Sequence, residues 1–326
     1  MDTMKRKVFT FIDLFAGIGG FRIALERNGG RCVFSSEWDK NAQATYFENF
    51  GEIPYGDITQ EDTKAKIPQQ FNVLCAGFPC QAFSIAGKQL GFDDTRGTLF
   101  FDVAEIISRR EPEVVFLENV KNLCSHDGGR TFLVIKSRLE QLGYAVFHKV
   151  MNATEYADVP QNRERIFIVA FNKAKVKNFA LFEFPSQVPL TKTIHDCIDD
   201  GVTDERYFYD DARMSHYCEL VDGIKSSDFV YQWRRQYVRQ NKSGVCPTLT
   251  ANMGTGGHNV PIILSSKGIR KLTPRECLNF QGYPASFRFP AMLSDAAKYK
   301  QAGNSVVVPL IDRICRQILL VIGCDL

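Results

Sequence analysis

The amino-acid sequence predicts an α/β protein built on a doubly wound, mostly parallel sheet. Apolar strand-like segments alternate with amphipathic helix-like segments through the first half of the chain. Pro68 and Pro112 lead into two of the apolar segments, where proline prevents a helix from continuing. A glycine-rich segment, 13–20, joins the first strand to the first helix, which is where such folds bind nucleotide-like ligands.

The alternation predicts strands at 8–14, 31–36, 71–76, 113–118, 145–152 and 165–171, with helices at 20–28, 40–50, 98–110 and 131–141. It stops near Pro185, and the polar segment that follows predicts short strands at best. Helical patterns return at 274–280, 295–300 and 309–322, the first of them after a Thr273/Glu276 capping pair. We therefore predict one domain formed by 1–185 and 290–326, and a smaller, irregular domain with its hinge at 186–289.

The composition is that of a globular protein with a large core, since 44% of its 326 residues are hydrophobic and 24% are charged. No apolar stretch approaches the roughly 18 residues of a membrane helix, so we expect a cytosolic protein that does not bind membranes. The ten cysteines lack disulfide or zinc spacing, and no metal is expected. Cys32, Cys75 and Cys315 are predicted to be inert core thiols. A net charge of +3 is too small to indicate a polyanionic partner.

The glycine-rich segment predicts a nucleoside pocket. Its glycines permit a sharp turn and a close backbone approach, and Glu37 follows Gly17 by twenty residues, where an acid can bind ribose hydroxyls. Trp38 can cover an adenine ring. Acids at Asp13, Glu37 and Asp57 favour the cationic S-adenosylmethionine over a dinucleotide, whose pyrophosphate needs a fuller glycine pattern. A tight packing turn, or a different nucleotide site, is the alternative.

A cysteine and an acid form the strongest functional pattern. Cys80 follows Pro79 after the third predicted strand, and Glu118 ends the fourth. If these strands are parallel neighbours, both residues emerge at the same carboxyl edge of the sheet. A thiolate can add to a ring carbon while a neighbouring acid hydrogen-bonds the ring nitrogen. Alone, a loop cysteine is more often structural, and Glu118 could instead pair with Arg163 or Arg165.

Six segments together resemble the DNA cytosine-5 methyltransferases of bacteria, of the restriction-modification or Dcm-like type. They are 13–20, 77–81, 118–120, 161–165, 270–282 and 301–306, in the family's order and across nearly the whole chain. The resemblance implies an S-adenosylmethionine-dependent, Rossmann-like methyltransferase fold. It also implies that 186–289 forms the target-recognition domain, and that the other domain is catalytic and binds the cofactor.

The resemblance implies that the Cys80 thiolate adds to C6 of a flipped cytosine in duplex DNA, whose C5 then accepts a methyl group from S-adenosyl-L-methionine. Glu118 would hydrogen-bond N3 and the exocyclic amine, and Arg165 the O2 side. Arg163 would help to hold the Cys80 loop or the base. The residues that would line the cofactor pocket are Phe15, Ala16, Gly17, Gly19, Gly20, Glu37, Trp38, Asp57, Ile58, Pro79, Leu99, Asn304 and Val306.

Basic and aromatic residues alternate at 231–242, near a Thr-rich segment and a glycine loop. A charge run is more often a solvated face, but the interleaved aromatics favour recognition of a DNA groove. The predicted DNA contacts are Gln81, Ser84, Lys88, Arg96, Arg234, Arg235, Arg239, Thr248 and Thr250. This segment resembles family members that read short sites beginning with two cytosines, such as CCGG, CCNGG or CCWGG.

Other functions stay open at this point. A tRNA cytosine-5 methyltransferase shares the chemistry, although those relatives usually carry two prolines before the nucleophile, where Phe78 precedes Pro79 here. A non-catalytic DNA-binding protein could keep the same scaffold. An NAD-dependent oxidoreductase is disfavoured by the incomplete phosphate-binding pattern. The resemblance further implies a monomer that acts on double-stranded DNA at the bacterial nucleoid, with a cognate restriction endonuclease as an optional partner.

Overall fold

The computed structural model describes residues 8–79, 99–212, 214–234, 236–256 and 259–323. Residues of the predicted sites that lie outside these ranges are Cys80, Gln81, Ser84, Lys88, Arg96 and Arg235. The chain divides into two compact units. The first comprises residues up to Met151, Glu164–Pro185 and residues from Ile311 on, and the second comprises Asn152–Arg163 and Ser186–Leu310. The predicted domain boundaries at 185 and 290 stay a prediction.

The first unit contains a six-stranded sheet with the order β2-β1-β3-β4-β6-β5. Its strands are β1 (Thr10–Leu14), β2 (Arg31–Ser36), β3 (Val73–Ala76), β4 (Val114–Val120), β5 (Tyr144–Asn152) and β6 (Glu164–Asn172). The helices between them are α1 (Gly20–Arg27), α2 (Lys40–Phe50), the short α3 (Glu61–Lys64), α4 (Leu99–Arg110) and α5 (Arg130–Gln141). All six predicted strands are therefore present.

The sheet is parallel on one side and antiparallel at the β4–β6 pair. Strand β1 pairs in parallel with both β2 and β3, and β3 pairs in parallel with β4. Strands β3 and β4 are thus the parallel neighbours that the cysteine–acid hypothesis requires. All four residues of β3 and the first four of β4 are buried, which is typical of strands covered on both faces.

Strand β4 ends two residues later than predicted, and tertiary pairing explains the difference. The sequence predicts an end at Glu118, where the apolar run stops. In the structure β6 runs antiparallel to β4 and supplies Ile166 and Arg165 as partners for Asn119 and Val120. The extension matters because it brings Arg165 to the same end of the sheet as Glu118.

The second unit holds a smaller sheet that the sequence did not predict beyond short strands. Its order is β10-β9-β7-β8. In chain order the elements are α6 (Ala153–Tyr156), α7 (Tyr217–Gly223), β7 (Tyr231–Arg234), β8 (Tyr237–Gln240), β9 (Ile262–Ser265), β10 (Gly268–Lys271), α8 (Pro274–Asn279) and α9 (Asp295–Asn304). The last helix of the described chain, α10 (Val308–Ile322), lies mostly in the first unit, to which residues from Ile311 on belong.

Helix α8 begins where its capping residues predict. The Thr273 hydroxyl accepts a hydrogen bond from the Glu276 N–H, and the Glu276 carboxylate accepts one from the Thr273 N–H at 2.7 Å. Glu276 is fully buried and also pairs with the buried Arg270 at 2.7 Å. In the described part of the chain, no helix is long and apolar enough to cross a membrane.

Candidate active site and DNA-reading surface

Four residues at one edge of the large sheet belong to the predicted site or to the segment that leads to Cys80. The register aligns Leu14, Ser36 and Ala76, the last residues of their strands, with Leu117 of β4 in one row. The residues that follow them in the chain are Phe15, Glu37, Gly77 and Glu118. Because these strands are parallel, their carboxyl ends meet at the same edge, where open α/β sheets bind ligands.

Glu37 organises the glycine-rich loop. Its Oε2 accepts a hydrogen bond from the Gly17 N–H at 2.8 Å, and its Oε1 accepts one from the Asp39 N–H at 2.8 Å. Burial raises the pKa of the Glu37 carboxyl, against the opposing effect of these N–H donors. Each carboxylate oxygen keeps a second lone pair, so the group can still accept hydrogen bonds from the hydroxyls of a ligand.

Two residues of the glycine-rich loop, Phe15 and Gly19, have positive φ angles, which most side chains disfavour. Phe15 has φ of 56°, in the left-handed region that side chains rarely occupy and that recurs at ligand sites. Gly19 precedes α1 with φ of 84°, and a Cβ placed on it would lie 2.3 Å from the Phe50 ring. The glycine at this position is therefore required both by backbone conformation and by the packing of α1 against α2.

Trp38 stands beside this loop with 74% of its surface exposed. A large exposed aromatic next to a buried, hydrogen-bonded acid offers a flat face to a planar ring. The segment that carries Asp57 and Ile58 runs alongside, because the Glu37 N–H donates to the Tyr55 carbonyl at 2.8 Å. Ile58 is buried and Asp57 is half-buried, with its carboxylate accepting the Thr59 N–H at 2.9 Å.

Of the three acids predicted to surround the glycine-rich loop, Asp13 does not face the loop. Asp13 was expected to surround the loop together with Glu37 and Asp57, but its side chain is fully buried within β1, opposite Cys75 in the register. Burial raises the pKa of Asp13 to about 8, while the nearby Arg22 charge opposes the shift. Asp13 is therefore mostly protonated at neutral pH and presents no charge to a ligand.

Glu118 forms an ion pair with Arg165 across the β4–β6 pair. The Arg165 Nε lies 3.0 Å from the Glu118 Oε1, and both side chains are largely buried. Arg165 faces Val120 in the register, so it lies diagonally opposite Glu118 on the same face of the sheet. The sequence proposed Arg163 and Arg165 as possible partners of Glu118, and the structure shows the ion pair with Arg165.

The same carboxylate lies next to the segment that leads to Cys80. A Cβ placed on Gly77 would be 3.8 Å from the Glu118 Oε2, in ordinary van der Waals contact. Gly77 directly follows β3, and Pro79, the last described residue of the segment, is exposed. The predicted position of Cys80 itself lies outside the described residues, so its distance from Glu118 stays a prediction.

Asn119 is a residue whose role the sequence did not reveal. Its side-chain amide donates to the Phe78 carbonyl at 2.8 Å, and it is 3% exposed. This buried hydrogen bond fixes the backbone one residue before Pro79. The available signal was a polar residue that continues a buried apolar strand, since such a residue needs a specific partner.

A β-hairpin in the second unit presents polar side chains on one face. Gln232 pairs with Arg239, and Arg234 with Tyr237, in the antiparallel β7–β8 register. Alternation along a strand puts these four side chains on one face and Trp233 on the other. Trp233 packs against the apolar cluster of this unit, which leaves the polar face outward.

This face borders a cavity of about 420 Å³ within the second unit. Four of the predicted DNA contacts line it, namely Arg234, Arg239, Thr248 and Thr250. Five amide side chains that were not among the predicted contacts also line it, namely Asn162, Gln232, Asn241, Asn252 and Asn259. Amides offer both a donor and an acceptor, as the edges of base pairs do. Gln232 and Asn241 lie within the predicted 231–242 segment, whereas Asn162 and Asn259 lie outside it and show no local pattern.

Comparisons with known proteins decide the family. Residues 9–320 match the family described as C-5 cytosine-specific DNA methylase. The chain belongs to this family. It is a DNA cytosine-5 methyltransferase, as the resemblance of its six segments predicted. The chain is 50% identical over 309 residues to the Type II methyltransferase M.Bsp6I of Bacillus sp. (strain RFL6), covering 94% of this chain and 96% of that protein.

Further relatives agree with this assignment. The Type II methyltransferase M.HpaII of Haemophilus parainfluenzae is 47% identical over 340 residues, which cover 98% of this chain and 91% of that protein. Among solved structures, the S. pombe Dnmt2 methyltransferase superposes with a TM-score of 0.72, over 96% of this chain and 98% of that one, at 18% identity. At that identity the likeness concerns the fold, and it confirms the predicted methyltransferase architecture.

Other residues of the methyltransferase's predicted sites are placed as follows. Asn304 and Val306 lie in the second unit; Asn304 is exposed between two buried neighbours, and Val306 is 9% exposed. Arg163 also lies in the second unit, where its guanidinium donates to three backbone carbonyls. In the first unit, Ala16 and Gly20 are buried and Leu99 is half-buried.

Two of the described cysteines of the methyltransferase are poor nucleophiles. Burial raises the pKa of Cys75 well above its usual value, and the pKa of the half-buried Cys32 to about 12. A thiol that stays protonated does not attack carbon, which agrees with the prediction that these two are inert. Cys218 is exposed. Within the described ranges, no group of three or more His, Cys, Asp or Glu residues is arranged to hold a metal ion.

Proposed function

We propose that this methyltransferase flips a cytosine out of duplex DNA and methylates its C5 through a transient bond between Cys80 and C6. The observation that carries the proposal is the row at the sheet edge. There Phe15 and Glu37 of a nucleoside pocket share one edge with Glu118, which Arg165 holds beside the segment leading to Cys80. This reaction needs the methyl donor and an acid that stabilises the charge developing at N3 to lie next to the same cytosine ring.

The residues present fit S-adenosyl-L-methionine as the cofactor, which supplies an electrophilic methyl group and leaves as S-adenosyl-L-homocysteine. Glu37 would accept hydrogen bonds from the ribose hydroxyls, because its position is fixed by two N–H donors. Trp38 would cover the adenine, and Asp57 would contribute the negative charge that a cation requires. The remaining pocket residues, including Pro79, Leu99, Asn304 and Val306, keep the roles that the family resemblance assigns to them.

The chemistry begins when the Cys80 thiolate forms a bond to C6 of the ring, and the electrons of the C5–C6 double bond move toward N3 and O2. The Glu118 carboxyl would give a proton to N3 as this charge develops and accept a hydrogen bond from the exocyclic amine, and Arg165 would hold Glu118 in place and bind the O2 side. The ring is then an enamine whose C5 accepts the methyl group. A base removes the proton from C5, the Cys80–C6 bond breaks to restore the aromatic ring, and N3 returns its proton to Glu118.

The β7–β8 hairpin is proposed to read the DNA sequence. A two-stranded ribbon fits the major groove, where arginine and amide side chains distinguish bases. Arg234, Arg239 and Gln232 share its outward face. Thr248 and Thr250, which line the cavity, would contact the sugar-phosphate backbone of the DNA. Gln81, Ser84, Lys88, Arg96 and Arg235 keep their predicted roles in DNA binding, and a site beginning with two cytosines remains the proposal.

The relatives' names place them in Type II modification, and we propose the same setting for this chain. Its partner would be double-stranded DNA, which it would bind as a monomer in the bacterial cytosol, at the nucleoid. A restriction endonuclease acting on the same site would be its cognate partner.

Trapping on a DNA duplex that contains 5-fluorocytosine tests the covalent step. Fluorine at C5 cannot leave as a proton does, so the Cys80–C6 bond would persist through a denaturing gel when the cofactor is present. We expect the wild-type chain to be trapped and Cys80→Ser to be neither trapped nor active. Cys218→Ser is the matched control, because it removes an exposed cysteine of the second unit and should be trapped normally.

Trapping of Cys80→Ser, or its normal turnover, would remove Cys80 from the mechanism. Labelled cofactor supplied with duplex DNA or with tRNA separates the two substrate classes, and label in tRNA alone would overturn the DNA assignment. Mapping of methylated cytosines in the genome of cells that express the chain identifies the site. Methylation without a common sequence would contradict the proposed role of the hairpin.

A further inference from the structure

We propose that Arg163 is a positioning residue that couples DNA binding at the cavity to cofactor binding at Asn304. The inference rests on the proposed function, from which it takes the role of Asn304 in the cofactor pocket and the roles of Thr248 and Thr250 in DNA binding. All of the contacts that carry it lie within the second unit.

Arg163 holds the backbone on both sides of Asn304. Its Nη2 donates to the Gly303 carbonyl at 3.0 Å and to the Ser305 carbonyl at 2.6 Å. Arg163 is 2% exposed, so water does not compete for these charge-assisted hydrogen bonds. Asn304, in contrast, is exposed. The guanidinium therefore fixes the turn on which the Asn304 side chain is presented.

The same guanidinium holds the segment that lines the cavity. Its Nη1 donates to the carbonyl of Leu249 at 2.7 Å, and Leu249 lies between the two cavity residues Thr248 and Thr250. The Thr248 hydroxyl donates to the Asn162 carbonyl at 2.6 Å, one residue before Arg163. A single buried side chain thus joins the proposed DNA contacts to the proposed cofactor contact.

The two segments also touch directly. A Cβ placed on Gly303 would lie 2.2 Å from the carbonyl carbon and oxygen of Thr250 and 2.6 Å from the nitrogen of Ala251. No side chain fits at that distance, so the backbones of Gly303 and Thr250 lie in contact. A shift of the Thr250 peptide on DNA binding must therefore displace Gly303 or break this contact.

Gln161 forms a second link beside the first. Its side chain accepts the Leu249 N–H at 3.1 Å and donates to the Phe280 carbonyl at 2.6 Å. The next residue, Gln281, donates to the Ala302 carbonyl at 3.0 Å, in the last turn of α9 before Asn304. Both the N–H and the carbonyl of Leu249 are therefore linked to the segment that carries Asn304, which leaves little freedom for independent movement.

This arrangement predicts reciprocal coupling. If specific DNA holds Thr248–Thr250 in one conformation, it also holds the Asn304 turn in one conformation, and the cofactor then binds a preorganised site. By linkage the cofactor must strengthen DNA binding by the same factor. Couplings of this kind are typically about 5- to 150-fold.

Arg163→Lys tests the inference. Lysine keeps the positive charge but, as a compact point charge, it cannot span carbonyls that the planar guanidinium joins. Dissociation constants for S-adenosyl-L-methionine are measured with and without a duplex carrying the mapped site, and again with a duplex that lacks it. We expect the site-specific increase in cofactor affinity to fall to about 2-fold or less in this variant.

Arg270→Lys is the matched control, because Arg270 is also a buried arginine of the second unit but its hydrogen bonds go to Glu276, Lys271 and Asp199. It should keep the coupling. Gly303→Ala is a second test that leaves Arg163 in place and forces the Thr250 peptide away. It should also lose the coupling.

Three results would overturn the inference. The first is a wild-type chain that binds both ligands without mutual effect. The second is an Arg163→Lys variant that keeps the coupling but loses turnover at saturation, which would mean that Arg163 acts on the base. The third is equal loss of coupling in Arg270→Lys. A wild-type chain that binds neither S-adenosyl-L-methionine nor specific DNA would instead contradict the proposed function.

Discussion

Replacing Asp13 by asparagine should change how the stability of this methyltransferase depends on pH. Asp13 is fully buried in β1, and burial raises the pKa of its carboxyl from 3.8 to about 8. Asparagine has nearly the same shape but cannot ionise. The variant therefore removes the titration of one group and leaves the packing around β1 and the glycine-rich loop largely intact.

The sign follows from proton uptake on folding. Between the two pKa values the unfolded chain has lost the Asp13 proton, whereas the folded chain keeps it. The contribution of Asp13 to the free energy of unfolding is therefore largest at low pH, and it is lost as the pH rises toward about 8. Each pH unit in that window changes the free energy of unfolding by about 1.4 kcal/mol, which amounts to about 4 kcal/mol between about pH 5 and about pH 8.

Urea unfolding of both proteins across this pH range measures the effect. We expect the stability of the wild-type chain, relative to Asp13→Asn, to decline steadily with increasing pH and to level off above about pH 8. Asp62→Asn, which removes an exposed acid, is the control and should follow the wild-type curve. Parallel curves for the wild-type chain and Asp13→Asn would refute the assignment of a protonated Asp13.

Glu118→Gln should lower turnover about 100-fold or more with little change in DNA binding, because an amide cannot give a proton to N3 as negative charge develops there. A change confined to the Michaelis constant in steady-state kinetics would contradict this role. Gly19→Ala should lower the free energy of unfolding by about 1–3 kcal/mol more than Gly29→Ala in urea titrations. Both glycines have φ of 84°, but a Cβ on Gly29 meets nothing within 4 Å, so equal losses would exclude the predicted clash. Arg239→Ala should weaken site-specific DNA binding about 5- to 150-fold in titrations, whereas the exposed Lys225→Ala should not; unchanged affinity and methylation pattern would remove Arg239 from recognition.

The elements of the first unit could be read from sequence because their signals are local. Apolar runs, prolines and the glycine segment predicted all six strands. In the second unit the signal was equally local for one helix, because the capping pair Thr273 and Glu276 predicted the start of α8. The small sheet of the second unit escaped prediction, because its four-residue strands are too short to show a period. These segments are strands because they form hydrogen bonds to one another across the sheet, and not because their residues alternate between apolar and polar.

Several features of the site depend on distant contacts. Arg165 reaches Glu118 because β6 runs antiparallel to β4, which the sequence of β6 does not specify. Asp13 looked like a pocket acid because it precedes the glycine loop, but the alternation of the strand turns its side chain into the core. The buried position of Arg163 likewise follows from segments more than eighty residues away.

The sequence by itself determined the family, the order of the motifs and the residue types of the chemistry, because these are properties of side chains and of their spacing. Tertiary structure alone decided which acid is charged, which arginine meets Glu118, and which side chains share the face of the hairpin. Burial, strand direction and register set the distance between charges and their exposure to water, and none of these quantities is encoded locally.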